Sequence, residues 1–186
     1  MIVETDRLVV RELEGERDAP FILELVNDAD WREHIADMGL TTREEARDYI
    51  QNRLVAMYAK FGHGLYRVEL KASGVPIGIC GLIKRDALDD VDLGFATLRQ
   101  FRQSGYTFES AAAMMSHGAT AHGMSRLVAV SKPANTPSHR LLEKLGFRFE
   151  REVQISKDGS TDKLFTIVLA RAHGSVAGIV EECDTR

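Results

Sequence analysis

Apolar positions along the chain recur at two spacings, and the spacing changes from segment to segment. Arg7–Leu13 (R-L-V-V-R-E-L) is rich in β-branched residues and predicts a strand. Phe21, Ile22, Leu25 and Val26 then repeat at helical steps, with Asp18 as a capping residue and an end near Asn27. Trp31–Met38 predicts a second, short helix. Thr42-Arg-Glu-Glu45 is a capping-box pattern, and it opens a helix whose stripe is Ala46, Tyr49, Ile50, Leu54 and Met57. Gly62 and Gly64 end that helix.

Period-two patterning follows. Residues 65–71, 77–84 and 91–98 predict three strands of an antiparallel meander, the first two joined by the turn composition A-S-G-V-P. Phe108, Ala111, Ala112, Met115 and Ala119 place a helix over about 105–122. Residues 126–131 predict another strand. Residues 135–145 predict a helix with Pro137 in its first turn and Gly146 at its end. Residues 147–156 and 162–170 predict a final hairpin around K-D-G-S. This order gives one α/β (α+β) domain over residues 1–171, with a mixed, mostly antiparallel sheet flanked by helices. Residues 172–186 read as a C-terminal tail to which no packed element is assigned.

Composition narrows the picture. The chain has 186 residues, 44% hydrophobic and 28% charged, with a net charge of -4. That balance carries no basic footprint for nucleic acid. No apolar run reaches the length of a membrane span, and M-I-V-E-T-D-R-L lacks the apolar core of a secretory signal. The two cysteines, Cys80 and Cys183, have no metal spacing, and Cys80 reads as a buried thiol. A cytoplasmic protein, either monomer or homodimer, is expected. His117 and His122 are five apart, which puts them off a common helix face, so no metal pair is read from them.

The polar loop Arg102-Gln-Ser-Gly-Tyr-Thr107 lies between a strand and a helix N-terminus. Free N–H groups and the positive end of the helix dipole favour an anion there, and glycine allows close approach. About thirty residues on comes A-N-T-P-S-H-R-L-L-E-K-L-G-F. Loop, helix, strand and second helix together resemble the GNAT superfamily of acyl-CoA-dependent N-acyltransferases. Arg102 and Gly105 match its loop; Asn135, Ser138, Glu143, Lys144, Gly146 and Phe147 match its second helix. The opening E-T-D-R-L-V-V-R-E-L and the D-L-G-F of residues 92–95 resemble the branch that acetylates ribosomal-protein N-termini. The resemblance covers roughly residues 3–170. The chain departs from it at Gln103, where many of that branch have glycine, at Thr107 in place of a smaller residue, and at Leu142, where many superfamily members carry a proton-donating tyrosine.

The resemblance implies acetyl-CoA as cosubstrate and a primary amine, on a protein or a small molecule, as acceptor, attacking the thioester directly. Aligning such reactants is worth about 7–11 kcal/mol of barrier. The backbone of Phe95, Ala96, Thr97 and Leu98 would bind the acyl end and steady the oxyanion. The loop of Arg102, Gln103, Ser104, Gly105, Tyr106 and Thr107 would bind the pyrophosphate, and Asn135 and Ser138 the pantetheine arm and sulfur. Asp92 is the candidate base and Ser138 the group serving the leaving thiolate. Trp31 and His34 fall where the family lines its acceptor cleft. Arg140 and Lys144 are surface charges or contacts to the 3′-phosphate. Asp28, Asp30, Glu33 and Asp37 would form an acidic rim suited to a basic partner. The competing reading is an acyl-CoA-binding regulatory module without turnover, kept open by Gln103, Thr107 and Leu142. A nucleotide loop has no G-x-x-x-x-G-K-[ST] to support it.

Overall fold

The structure is a computed structural model that describes residues 1–155 and 159–169. Part of the K-D-G-S turn and the whole C-terminal tail lie outside the described residues. Eight strands form one sheet in the order β1-β2-β3-β4-β5-β6-β8-β7. They are β1 (Val3–Glu4), β2 (Leu8–Arg11), β3 (Leu65–Leu70), β4 (Pro76–Ile83), β5 (Asp92–Thr97), β6 (Arg126–Ser131), β7 (Arg148–Val153) and β8 (Asp162–Val168). Every neighbouring pair is antiparallel except β5 and β6, which run parallel.

Helices α1 (Gly15–Val26), α2 (Ala29–His34), α3 (Arg43–Tyr49) and α4 (Ala56–Phe61) precede the meander, and α5 (Tyr106–Ala121) and α6 (Thr136–Lys144) follow β5 and β6. The capping box is present: Thr42 accepts from the Glu45 N–H, and the Glu45 carboxylate takes the Thr42 N–H. The helix it opens runs through a wider π turn at Ile50–Val55 and stops at Gly62, whose φ of 74° ends it in the left-handed region.

Asp18 differs from expectation. It sits inside α1 rather than ahead of it, because the helix begins three residues earlier at Gly15. Its fully buried carboxylate reaches back to the Glu14 N–H at 2.8 Å and takes Arg67 Nη1 at 2.5 Å. A carboxylate removed from water needs such partners, and these lock α1 onto β3. The second helix is also shorter than the spacing predicts, closing at His34.

The two faces of the sheet bury different cores. One packs α5 and α6 on Leu8, Val10, Cys80, Leu82, Leu93, Leu127 and Phe165. The other packs α1, α2 and α3 on Leu13, Ile79 and Leu98.

Candidate active site

Strands β5 and β6 share a single register pair, Asp92 with Val128. Beyond it they part. All six residues of β5 stay registered with β4, and all six of β6 with β8. A fork therefore opens toward Thr97 and Ser131, with the N-termini of α5 and α6 at its open end. In sheets of this kind ligands bind outside the carboxyl ends of parallel strands.

Asp92 sits at the crotch. Its Oδ1 accepts the Val130 N–H at 3.2 Å, a donor that the next turn of a parallel ladder would have given to β5. Its Oδ2 takes Arg85 Nε at 2.5 Å. The residue is 1% exposed. Burial pushes its carboxyl pKa up, against the Arg85 charge and hydrogen bond and the Val130 N–H, which pull it down. The position expected for a base is thus closed, with both oxygens occupied.

Along β5, the Leu98 N–H donates to Ile77 O at 2.9 Å. Antiparallel alternation then turns the N–H groups of Gly94 and Ala96 toward β4 and those of Phe95 and Thr97 into the fork. Both fork-facing donors belong to the segment expected to hold the acyl group.

The loop keeps the left-handed conformations that a phosphate cradle uses. Gly105 has φ 81°, and Gln103 has φ 62°, the one non-glycine residue with positive φ among the described residues. Gln103 therefore holds the backbone shape of the glycine it replaces, at a cost of about 1–2 kcal/mol. No side chain among the described residues caps α5, so its first-turn N–H groups face the loop. The Thr107 hydroxyl lies 2.8 Å from that of Thr97, which ties it to the end of β5.

Arg102 is engaged elsewhere. Its Nε donates to Thr97 O at 2.8 Å, its Nη2 to Asp28 at 3.0 Å, and its Nη1 to Asp30. Two of the four carboxylates expected on an acidic rim are thereby paired with one cation. Sequence reasoning missed the cation that does stand over the loop. Arg7 donates to Ser104 O at 3.0 Å and to Glu109 at 2.6 Å, and stacks 4.6 Å from the centre of the Tyr106 ring. Thr5 completes the staple with a 2.6 Å bond to Glu109. For the Glu109 carboxyl, burial is the largest influence and opposes ionisation. The bonds from Thr5 and Arg7 together outweigh it and leave the pKa low. The signal was the opening T-D-R, but nothing in its spacing points to a partner some hundred residues away.

At α6, Asn135 caps the helix by accepting the Ser138 N–H at 3.2 Å. Ser138 is half-buried beside it. Leu142, in the position of the family's tyrosine, is buried in the main core. Lys144 lies over the Phe108 ring, and Arg140 is exposed. On α2, Trp31 is 6% exposed. Among the described residues, Trp31 Nε1 and His34 Nδ1 are buried without a hydrogen-bond partner. His117 and His122 do meet, contrary to the helix-face argument. His122 is the C-cap, and its ring turns back to lie 5.1 Å from that of His117 and 5.4 Å from that of His63.

The model of the acetyltransferase (GNAT) domain matches residues 7–148. The chain belongs to the GNAT family. An uncharacterized N-acetyltransferase of Bacillus subtilis, YnaD, is 27% identical over 81% of this chain and 84% of its own length. A putative GNAT-family acetyltransferase from Bordetella pertussis is 27% identical, with a TM-score of 0.72 over 92% of this chain and 99% of that one. The fold also matches RimL, a ribosomal alpha-N-protein acetyltransferase solved in complex with coenzyme A, at a TM-score of 0.77 and 17% identity over 90% and 97% of the two chains. The protein is accordingly an acetyl-CoA-dependent N-acetyltransferase of this family. No helix among the described residues is long and apolar enough to cross a membrane.

Proposed function

We propose that this protein moves the acetyl group of acetyl-CoA to a primary amine, either a protein N-terminus or a small amine, by direct attack within the fork. The observation that carries this reading is the opening between β5 and β6, with the Phe95 and Thr97 N–H groups turned into it and the uncapped start of α5 beside it. The loop backbone from Gln103 to Thr107 takes the pyrophosphate, and the fork-facing N–H groups polarise the thioester carbonyl. The neutral amine forms the C–N bond, the C–S bond breaks, and the amine proton is matched by the one the thiolate takes up. Ser138 serves that thiolate.

Asp92 acts by holding the fork apart through Val130 and Arg85 rather than by touching the amine. Asp92→Asn keeps the carbonyl oxygen that accepts from Val130 and gives up the Arg85 ion pair, so turnover should fall by less than about tenfold with the shape of its pH profile unchanged, whereas loss of a direct base would cost about a hundredfold or more. Trp31 and His34, with their unpartnered ring nitrogens, form the acceptor wall.

A melting-temperature shift with acetyl-CoA, with ATP as control, is the first test. A ligand at a hundredfold excess over its dissociation constant stabilises by about 2.7 kcal/mol. No shift at millimolar acetyl-CoA would overturn the reading. Release of coenzyme A thiol on adding an amine separates transfer from binding alone.

A further inference from the structure

We infer that Arg102 is a positioning residue for the acceptor wall and does not act as a ligand to the cosubstrate's phosphates. The inference rests on the reading of the fork given above. Three hydrogen bonds fix the guanidinium: to Thr97 O at the open end of β5, to Asp28, and to Asp30. Asp28 is the N-cap of α2, where its side chain also accepts the Asp30 N–H at 2.9 Å. On the other arm of the fork, Lys132, the residue after β6, donates to Glu33 O at 3.0 Å. Helix α2 is therefore tied to both arms and spans the mouth between them.

The wall so placed carries Trp31 Nε1 and His34 Nδ1, buried and without partners among the described residues. A six-residue helix has little stability of its own, so its placement depends on these ties. Turning Arg102 toward a phosphate would strip Asp28 and Asp30 of their cation and release one side of α2. The planar guanidinium reaches a carbonyl and two carboxylates at once, which a lysine ammonium on a flexible stem does not reproduce.

The test uses the full chain. Amide hydrogen exchange over residues 29–34 is measured without ligand in the wild type, Arg102→Ala and Asp28→Asn/Asp30→Asn. Both variants should exchange faster by about tenfold. Calorimetry should give acetyl-CoA dissociation constants within about twofold of wild type, a difference under half a kcal/mol. With alaninamide as the amine, Arg102→Ala should raise the amine KM by about fivefold or more and leave the acetyl-CoA KM within twofold. Arg102→Lys should not restore it. A tenfold loss of acetyl-CoA affinity with unchanged exchange at 29–34 would overturn the inference and make Arg102 a phosphate ligand. Should the wild type bind no acetyl-CoA, the proposed function fails. The exchange data still decide whether Arg102 holds α2.

Discussion

Two helices start at the open end of the fork, and they start differently. Helix α6 satisfies itself: Asn135 accepts the Ser138 N–H, and Pro137 has no N–H to satisfy. Helix α5 starts from Gly105, which has no side chain to offer, and no other side chain among the described residues caps it. The difference assigns their tasks. A helix start that has spent its donors on its own chain has few left for an anion, whereas an open start in a left-handed loop presents them together. The pyrophosphate therefore belongs to α5 and the sulfur end of the cosubstrate to the neighbourhood of α6.

The largest effect expected from breaking this contrast is at Gly105. Gly105→Ala places a methyl in left-handed backbone, 3.3 Å from Arg7 Nη2. The backbone term alone is about 1–2 kcal/mol, and acetyl-CoA affinity measured by calorimetry should fall at least about tenfold. Asn135→Ala should act on the other start. Losing the cap costs about 1 kcal/mol, read as a melting point lower by about 2–4 °C, with a smaller loss of acetyl-CoA affinity than at Gly105. A larger loss at Asn135 would reverse the assignment of the two helices.

The far end of α5 offers a control. Burial lowers the pKa of His117 and of His122, with the neighbouring histidines adding to the shift. The unfolded chain takes these protons near pH 6.5 and the folded chain only at lower pH, so the unfolded state binds more protons in acid. Their contribution to stability is intact above pH 6.5 and is lost as the pH falls through the folded values. Chemical denaturation from pH 7.5 to 5 should show that decline, and His122→Asn should flatten it while leaving acetyl-CoA affinity alone. The smallest effect is expected at Gln103. Gln103→Gly relieves left-handed strain but adds unfolded-state entropy of about 0.4–1 kcal/mol. Stability should hold or rise, by about 1 kcal/mol or less as the difference of the two terms, and acetyl-CoA affinity should hold or rise.

Much of the architecture was legible because it rests on local patterns. The meander, α5, β6 and α6 fall within a residue or two of their expected bounds, since strand alternation and helical stripes are set by neighbours along the chain. The capping box at Thr42 formed as written. Asp18 was misplaced because the helix starts at Gly15, and its tie to β3 went unread because Arg67 is far off in sequence. The loop at residues 102–107 was found by its glycine and its place before a helix. Its leading arginine was assigned by its charge and by its match to the family's loop, and neither reveals which partner lies nearest.

The sequence by itself determined the elements, their order, the family resemblance and the loop that starts α5, for these depend on spacing and on residues close in the chain. Only the tertiary structure decided which charges are free. It joined Arg102 to Asp28 and Asp30, Arg7 to Glu109, and Asp92 to Arg85 and Val130. It also turned the rings of His63, His117 and His122 together. Such pairings are set by which strands lie side by side and where they part, and a charge takes the partner that packing brings within a few ångströms, whatever their separation along the chain.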